Sequence, residues 1–441
     1  MSDSISRESL ISNSTNKSNI GKYIVVVLFP LFVVWVFSAK IMRNNLWATD
    51  DFIFINDIHI DYLYDPHAPS STLCRNSTNH SYTKKYARYG CDSSLFLYES
   101  MLKYIKSSLR KPFMIVFGGD SISYWNFLNS SQLQNHFRWV MDSLGQLYSN
   151  TPVIPVLGNN EFIPNYGNYE SDRDNFRNIA GSLSNILSND ELSTFNIGGY
   201  YFRDFKERNL RIIVLNSIAM IKDRNYNVSI TDPHGQLEWF EKQCENGSNL
   251  GLNIGVVMHI PTGVTFWQGP KVWHSRFSDK FNSIVSKYEI SFILSAHSHT
   301  DLLLPVFNNN NSWSHISLVS PSLSPSHNNN PGFRLYKMKN GKIIDYTQYI
   351  ADISRVNQEI KWEIEYSFRS AYQVDDLAFP NIGKAINMLK AKRHEMFKYL
   401  QRVMAGVPND DSYFYCLLSA NNQTEYSKCQ SMMYRSFNDV Y

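Results

Sequence analysis

No Cys-x-x-Cys spacing occurs among the five cysteines, which argues against a structural zinc site built on thiolates. Blocks of Lys and Arg are missing as well. The 42 basic residues are nearly balanced by 39 acidic ones, for a formal charge of +3, so nucleic-acid binding is not indicated as the main business. No internal repeat is visible. Charged residues are sparse at 18% while 43% of the chain is hydrophobic, a mixture that sets wholesale disorder aside and supplies a core. Aromatic side chains are abundant at 14%, mostly Tyr and Phe, as suits a secreted or luminal enzyme. A length of 441 residues allows two or three domains.

One uncharged stretch bears on membranes. Tyr23–Ala39 (YIVVVLFPLFVVWVFSA) has 17 residues, at the short end of the ~17–25 that a spanning helix needs. Lys22 precedes it and Lys40 and Arg43 follow, so flanking charge does not settle its orientation. Phe37-Ser38-Ala39 puts a bulky residue where signal cleavage wants a small one. The reading is an uncleaved signal anchor over 21–40 behind a disordered polar tail at 1–20, with a cleaved signal and a secreted product as the alternative. Beyond it lie seven Asn-x-Ser/Thr triplets, at Asn76, Asn79, Asn129, Asn227, Asn246, Asn310 and Asn422. With cysteines at pairing distances, they favour a body on the luminal (endolysosomal or vacuolar) or extracellular side of the membrane. Cys74–Cys91 and Cys416–Cys429 each close a short local loop and are paired on that ground, which leaves Cys244 over.

Residues 48–352 are read as one α/β layered domain. Its β-type runs are Phe52–Asn56, Phe113–Phe117, Val153–Leu157, Leu210–Leu215, Ile254–Met258 and Ile290–Leu294, nearly continuous in Val, Ile, Leu and Phe, as in strands buried on both faces. Stretches 94–109, 131–148 and 235–244 between them carry a helical period. From about 302 strand follows strand: Leu302–Phe307, His315–Val319, Phe333–Met338 and Ile343–Ile350, with Asn308–Asn311 and Asn328–Asn330 as turns. Residues 353–441 are read as a helical subdomain, helical over about 356–405 and a looped, disulfide-bearing cap beyond.

Metal-type side chains fall at the ends of these strands. Asp57 and His59 follow the first, Asp120 the second, Asn159 the third, His259 the fifth, and His297 and His299 the sixth. Ligands of open α/β sheets bind outside the carboxyl ends of the strands. Five strand ends therefore deliver two Asp, one Asn and four His to one rim. Either Asp or His alone at a strand end is more often structural, but the ordered set fits two divalent ions, with one carboxylate bridging them. Such a pair, ~3.5–4 Å apart, generates hydroxide near neutral pH and clamps an in-line phosphoryl displacement. Spacing does not separate zinc from manganese or iron.

These motifs, Asp57-x-His59, Gly118-Gly119-Asp120, Gly158-Asn159-Asn160-Glu161, His259 and His297-x-His299, resemble the signature of the calcineurin-like metallophosphoesterases. More narrowly, the chain is similar to the acid sphingomyelinase-like phosphodiesterases over about 51–435, through RYGCDSS at 88–94, TDPHGQLEWF at 231–240, NPGFRLYKM at 330–338, WEIEYSFRSAY at 362–372 and the segment Cys416 to Cys429. No room remains for a saposin-like lipid-presenting domain. The resemblance implies a layered β-sandwich flanked by helices, and two zinc ions. One ion would take Asp57, His59, Asp120 and His299, and the other Asp120, Asn159, His259 and His297. It also implies catalytic positions at 160 and 124, where the family usually carries His and this chain carries Asn160 and Tyr124. Ala296 replaces a usual Gly. Asn cannot protonate a leaving alkoxide, so Asn160 tilts the substrate toward phosphoanhydrides, whose leaving groups need less help. Membrane-anchored endopolyphosphatases resemble the chain at Asn160 but not at His299.

The expected function is therefore metal-dependent hydrolysis of a phosphodiester or phosphoanhydride, on a phosphate-containing small molecule or polyphosphate. The alternatives are an endopolyphosphatase, or a metal-binding surface protein that has lost catalysis. His234 is expected to precede a helix rather than bind metal. His274 is a lesser candidate for the substrate mouth, and Glu161 is read as a salt-bridge partner rather than a support for the site.

Overall fold

The computed structural model describes residues 50–431 apart from 77–82, 125–127, 170, 223–228, 266–268, 271, 309, 311, 356–358, 408–411, 421–424, 427 and 430. The expected tail at 1–20 and anchor over 21–40, and Asn79, Asn227 and Asn422, lie outside these residues. Among the described residues no helix is long and apolar enough to cross a membrane.

The first half of the body runs β1 (Asp50–Ile55), α1 (Leu95–Ser108), β2 (Met114–Phe117), α2 (Ser130–Gly145), β3 (Val153–Pro155), α3 (Asp172–Ser182), α4 (Asn189–Gly198), β4 (Tyr201–Phe205) and β5 (Leu210–Leu215). Then come α5 (Gln236–Asn249), β6 (Asn253–Met258), a two-stranded ribbon of β7 (Val264–Thr265) and β8 (Gly269–Pro270), α6 (Ser275–Lys287) and β9 (Ile290–Ser295). Four further strands follow: β10 (Leu302–Phe307), β11 (Trp313–Val319), β12 (Gly332–Lys339) and β13 (Lys342–Ala351). The last part holds β14 (Trp362–Ser367), α7 (Phe368–Tyr372), α8 (Phe379–Ala391), α9 (Arg393–Val403) and α10 (Ser412–Ser419).

The strands form two six-stranded sheets, ordered β14-β13-β12-β1-β2-β3 and β10-β11-β9-β6-β5-β4. Parallel pairing holds where the chain crosses over through helices, between β1, β2 and β3 and between β5, β6 and β9, and also between β9 and β11, which β10 connects. The late strands, joined by tight turns, pair antiparallel as β10–β11 and β12–β13. The sheets stack face to face: Phe52 of β1 lies 6.3 Å from Phe292 of β9, and buried Arg334 of β12 donates to the Val319 carbonyl of β11 at 3.0 Å. Helices cover the outside, with Phe137 of α2 on Phe117 and Phe240 of α5 on Phe281 of α6. This is the expected α/β sandwich flanked by helices.

Two expectations about the C-terminal region change. Residues 362–367 are not helical; they form β14, an edge strand on β13 with a register shift at Gln348/Tyr349, in which Trp362 and Tyr366 are buried while Glu363 and Ile364 are exposed. The looped cap contains α10, and the Cys416–Cys429 disulfide ties it down. Cys74–Cys91 is bonded as well, and Cys244 is free and buried, its thiol pushed up to about 12 by burial and so unreactive.

Candidate metal centre

Five of the seven ligand-type side chains leave a strand end on a sharply turned backbone. Asp57, His59, Asp120, His297 and His299 have φ of 46°, 45°, 60°, 72° and 59°, in the left-handed region. Each costs ~1–3 kcal/mol there and persists only where its surroundings over-determine it. The turns are fixed by cross-bonds between loops: Asp57 N–H to Gly119 O, His59 N–H to Asp120 O, and Ala296 N–H to His259 O. Gly119 and Gly158 make the close approach possible, since a Cβ on Gly158 would stand 2.1 Å from Asp120 Oδ1.

The side chains converge in two groups, Asp57, His59 and His299, and Asp120, His259 and His297, the ligand-capable atoms of each lying within 4.8 Å of one another. Asp120 Oδ2 stands between the groups, 3.5 Å from His59 Nε2 and 3.4 Å from His259 Nε2. Asp57 Oδ1 is 3.4 Å from His299 Nε2. Asn159 turns its carbonyl inward, Oδ1 3.3 Å from His259 Nε2, because its amide donates to Asn160 Oδ1 and Asn165 Oδ1. The far nitrogens fix the rings: His59 Nδ1 faces the Ile122 carbonyl at 3.1 Å and His259 Nδ1 the Gly118 carbonyl at 2.8 Å. Their Nε2 lone pairs then aim into the cluster.

The two carboxylate oxygens that face these nitrogens, Asp57 Oδ1 and Asp120 Oδ2, are buried and accept no hydrogen bond. Their partner oxygens are occupied: Asp57 Oδ2 accepts from Asn56 Nδ2 and His297 N–H, and Asp120 Oδ1 from Asn160 N–H at 2.8 Å. A buried carboxylate oxygen without a hydrogen bond, facing imidazole nitrogens that can give up their protons to a metal, is satisfied by a cation. Electrostatics point the same way. Burial alone would lower His59 and His259, yet the Asp57 and Asp120 charges hold both up at about 9, whereas burial and His259 press His297 down to about 3. The two carboxylates thus draw positive charge into a place where solvent does not reach. The donor set fits two divalent ions. Asp120, which stands between the two groups, would be the residue shared by both ions.

The remaining candidates fall differently. Asn160 is 3% exposed and its amide is committed: Nδ2 donates to Ile122 O at 3.1 Å and Oδ1 accepts from Asn159. Its Nδ2 also faces His59 Nδ1 at 3.2 Å, so it helps to hold that ring. Tyr124 stacks on His59, ring centroids 4.4 Å apart, and lies 6.3 Å from His299. Among the described residues Glu161 makes no salt bridge. It accepts from Asp120 N–H, Ser121 N–H, Ser121 Oγ and Gly158 N–H at 2.7–2.9 Å, clasping the loops after β2 and β3. His234 bonds Asp172 at 2.9 Å just before α5, and His274 caps α6 through its carbonyl. Asn76, Asn129, Asn246 and Asn310 are exposed.

Two neighbours of the cluster had no sequence signal. The His327 ring lies 4.1 Å from that of His299, tilted by 33°, but it sits in the Asn-rich turn after β11, where no spacing rule applies. Tyr166 meets His297 edge-on at 6.2 Å, held by its own N–H to Asn159 O. It stands seven positions past a motif residue whose neighbourhood reads as a turn.

A family model described as calcineurin-like phosphoesterase matches residues 51–301, and one described as acid sphingomyelin phosphodiesterase C-terminal region matches 312–429. Sphingomyelinase phosphodiesterase C of Dictyostelium discoideum is 26% identical over 87% of this chain and 90% of its own length. Cyclic GMP-AMP phosphodiesterase SMPDL3A of Homo sapiens is 24% identical over 90% of this chain and 93% of its own length. Sphingomyelinase phosphodiesterase D of Dictyostelium discoideum is 26% identical over 78% of this chain and 81% of its own length. With two Asp/His groups built to hold divalent ions, the chain belongs to the calcineurin-like phosphoesterase family and is a metal-dependent hydrolase of phosphodiester or phosphoanhydride bonds.

Proposed function

We propose that the two ions are zinc, held by Asp57, His59, Asp120 and His299 on one side and Asp120, Asn159, His259 and His297 on the other. The preferred substrate is a phosphodiester or phosphoanhydride with a good leaving group, met on the luminal or extracellular face of a membrane to which residues 21–40 anchor the chain. The observation that carries the site is the pair of buried, donor-free oxygens Asp57 Oδ1 and Asp120 Oδ2. Two bound cations supply charge neutralisation and an activated water.

The leaving-group preference follows from the residues around the cluster. Burial and then the Asp120 and Asp57 charges hold the Tyr124 phenol well above its ordinary range, so it stays protonated and donates a hydrogen bond to a phosphate oxygen without giving up its proton. Burial above all presses His327 down to about 2, so it stays a neutral imidazole near neutrality. Asn160 has no proton to give. Among the described residues beside the cluster, no group offers a proton near neutrality, which suits a departing phosphate or acidic alcohol better than a simple alkoxide. The relatives named as phosphodiesterases support the diester class.

The test is turnover of bis-p-nitrophenyl phosphate, ATP, polyphosphate and a phosphocholine ester with zinc, manganese or cobalt. Expected are turnover of the activated diester and the anhydrides, little on the choline ester, and a loss of about a thousandfold in Asp120→Ala. No turnover with any metal defeats the proposal. Internal cuts in polyphosphate would assign an endopolyphosphatase.

A further inference from the structure

Two residues outside the ligand set grip Tyr124 by its backbone. Arg75 Nη2 donates to the Tyr124 carbonyl at 3.0 Å, and the Tyr124 N–H donates to Asp92 Oδ2 at 3.0 Å. Arg75 directly follows Cys74 and Asp92 directly follows Cys91, and these cysteines form a disulfide. Both gripping groups are braced. Arg75 Nε bonds Asp61 Oδ2 at 2.7 Å, and Asp92 Oδ1 accepts from Ser324 Oγ at 3.1 Å. The next residue, Ser93, donates its N–H to His59 O at 3.0 Å and accepts from Asp61 N–H at 2.9 Å. Asp92 is 8% exposed, and the Arg75 and Asp61 side chains are 11% and 3% exposed, so solvent does little to loosen the grip.

We infer that Arg75 and Asp92 are positioning residues for Tyr124 and that the Cys74–Cys91 disulfide sets their spacing. One covalent bond thereby fixes both ends of the peptide unit pair that aims the Tyr124 phenol over His59, where it meets a phosphate oxygen. The inference rests on the two-metal phosphoesterase reading. The second disulfide, Cys416–Cys429, joins the far C-terminal cap and has no part in it.

The full chain is compared with Cys74→Ser/Cys91→Ser, Arg75→Ala, Asp92→Ala and, as control, Cys416→Ser/Cys429→Ser. Kinetics on bis-p-nitrophenyl phosphate, zinc content and hydrogen exchange at the Tyr124 amide are read together. In the first three, KM rises about tenfold with kcat within about threefold and zinc content unchanged, the loss of one hydrogen bond to a charged oxygen. The control keeps the wild-type KM. In a Tyr124→Phe background, Arg75→Ala adds nothing further, which a merely structural residue would not obey. A wild-type KM in Cys74→Ser/Cys91→Ser, or effects of Arg75→Ala and Tyr124→Phe that multiply, overturns the inference. Should the cysteine variant fail to fold, Arg75→Ala, with the disulfide intact, decides. If the wild-type chain hydrolyses nothing, the functional proposal fails alone, and exchange decides this one: exchange at the Tyr124 amide about tenfold faster in Asp92→Ala supports it, and unchanged protection sinks it.

Discussion

Asp120 shows how much one side chain can be asked to do. Its backbone is left-handed, its N–H is held by Glu161, its Oδ1 by Asn160, and its Oδ2 faces His59 and His259 across the gap between the two groups. Part of this was legible: the Gly-Gly-Asp after an apolar run already placed the aspartate at a strand end. Which oxygen is free was not legible, since that depends on a loop 40 residues away. The charge balance at this scale yields a pH prediction. His59 and His259, raised to about 9, are protonated in the metal-free cluster at neutral pH, and a metal ligand must be neutral. A cation therefore displaces protons below about 9 and competes with them more as pH falls. Calorimetric titration of the stripped chain with zinc near pH 7, in buffers of different ionisation enthalpy, is expected to show release of about two protons and weaker binding toward lower pH.

Among the elements, the loops after β2 and β3 carry Asp120 and Asn159, and Glu161 supplies the acceptors for four of the hydrogen bonds that clasp them. Burial and the Asp120 charge raise its carboxyl, so the clasp is built against an electrostatic cost. Glu161→Ala would strand buried donors and is expected to cost about 3 kcal/mol or more, read as a lower melting temperature together with weaker metal retention. The sequence suggested a salt bridge here because a Glu in a turn looks solvated; only the fold shows that four donors surround it. The strands were readable because they are nearly continuous in apolar residues. Helices α3 and α4 were not, for their buried stripes are thin, Phe176, Ile179 and Ala180 in one and Phe195 in the other, within a run rich in Asn and Ser. A capping box at Ser188 and Glu191 was the available sign of α4. β14 was missed because its alternating face lies beside helical sequence.

At the scale of the whole molecule, the C-terminal region braces the loop that carries His297 and His299. Asp301 is paired with Arg334 of β12, accepts from the Tyr366 hydroxyl of β14, and donates its N–H to the Val403 carbonyl of α9 at 2.8 Å. Arg334 is fully buried, so removing its partner leaves a bare charge inside. Asp301→Ala is expected to cost about 3–5 kcal/mol, measured by chemical denaturation, although Asp301 touches no substrate. Such a long-range pair has no local sequence signature.

The ligand groups also bear on the two sheets. Each group draws on both: Asp57 and His59 from one with His299 from the other, and Asp120 from one with His259 and His297 from the other. Each cation would therefore be a rivet through the seam of the sandwich as well as a reagent. Chelation should then lower the melting temperature of the entire body in one cooperative step, with the seam rather than any single loop giving way.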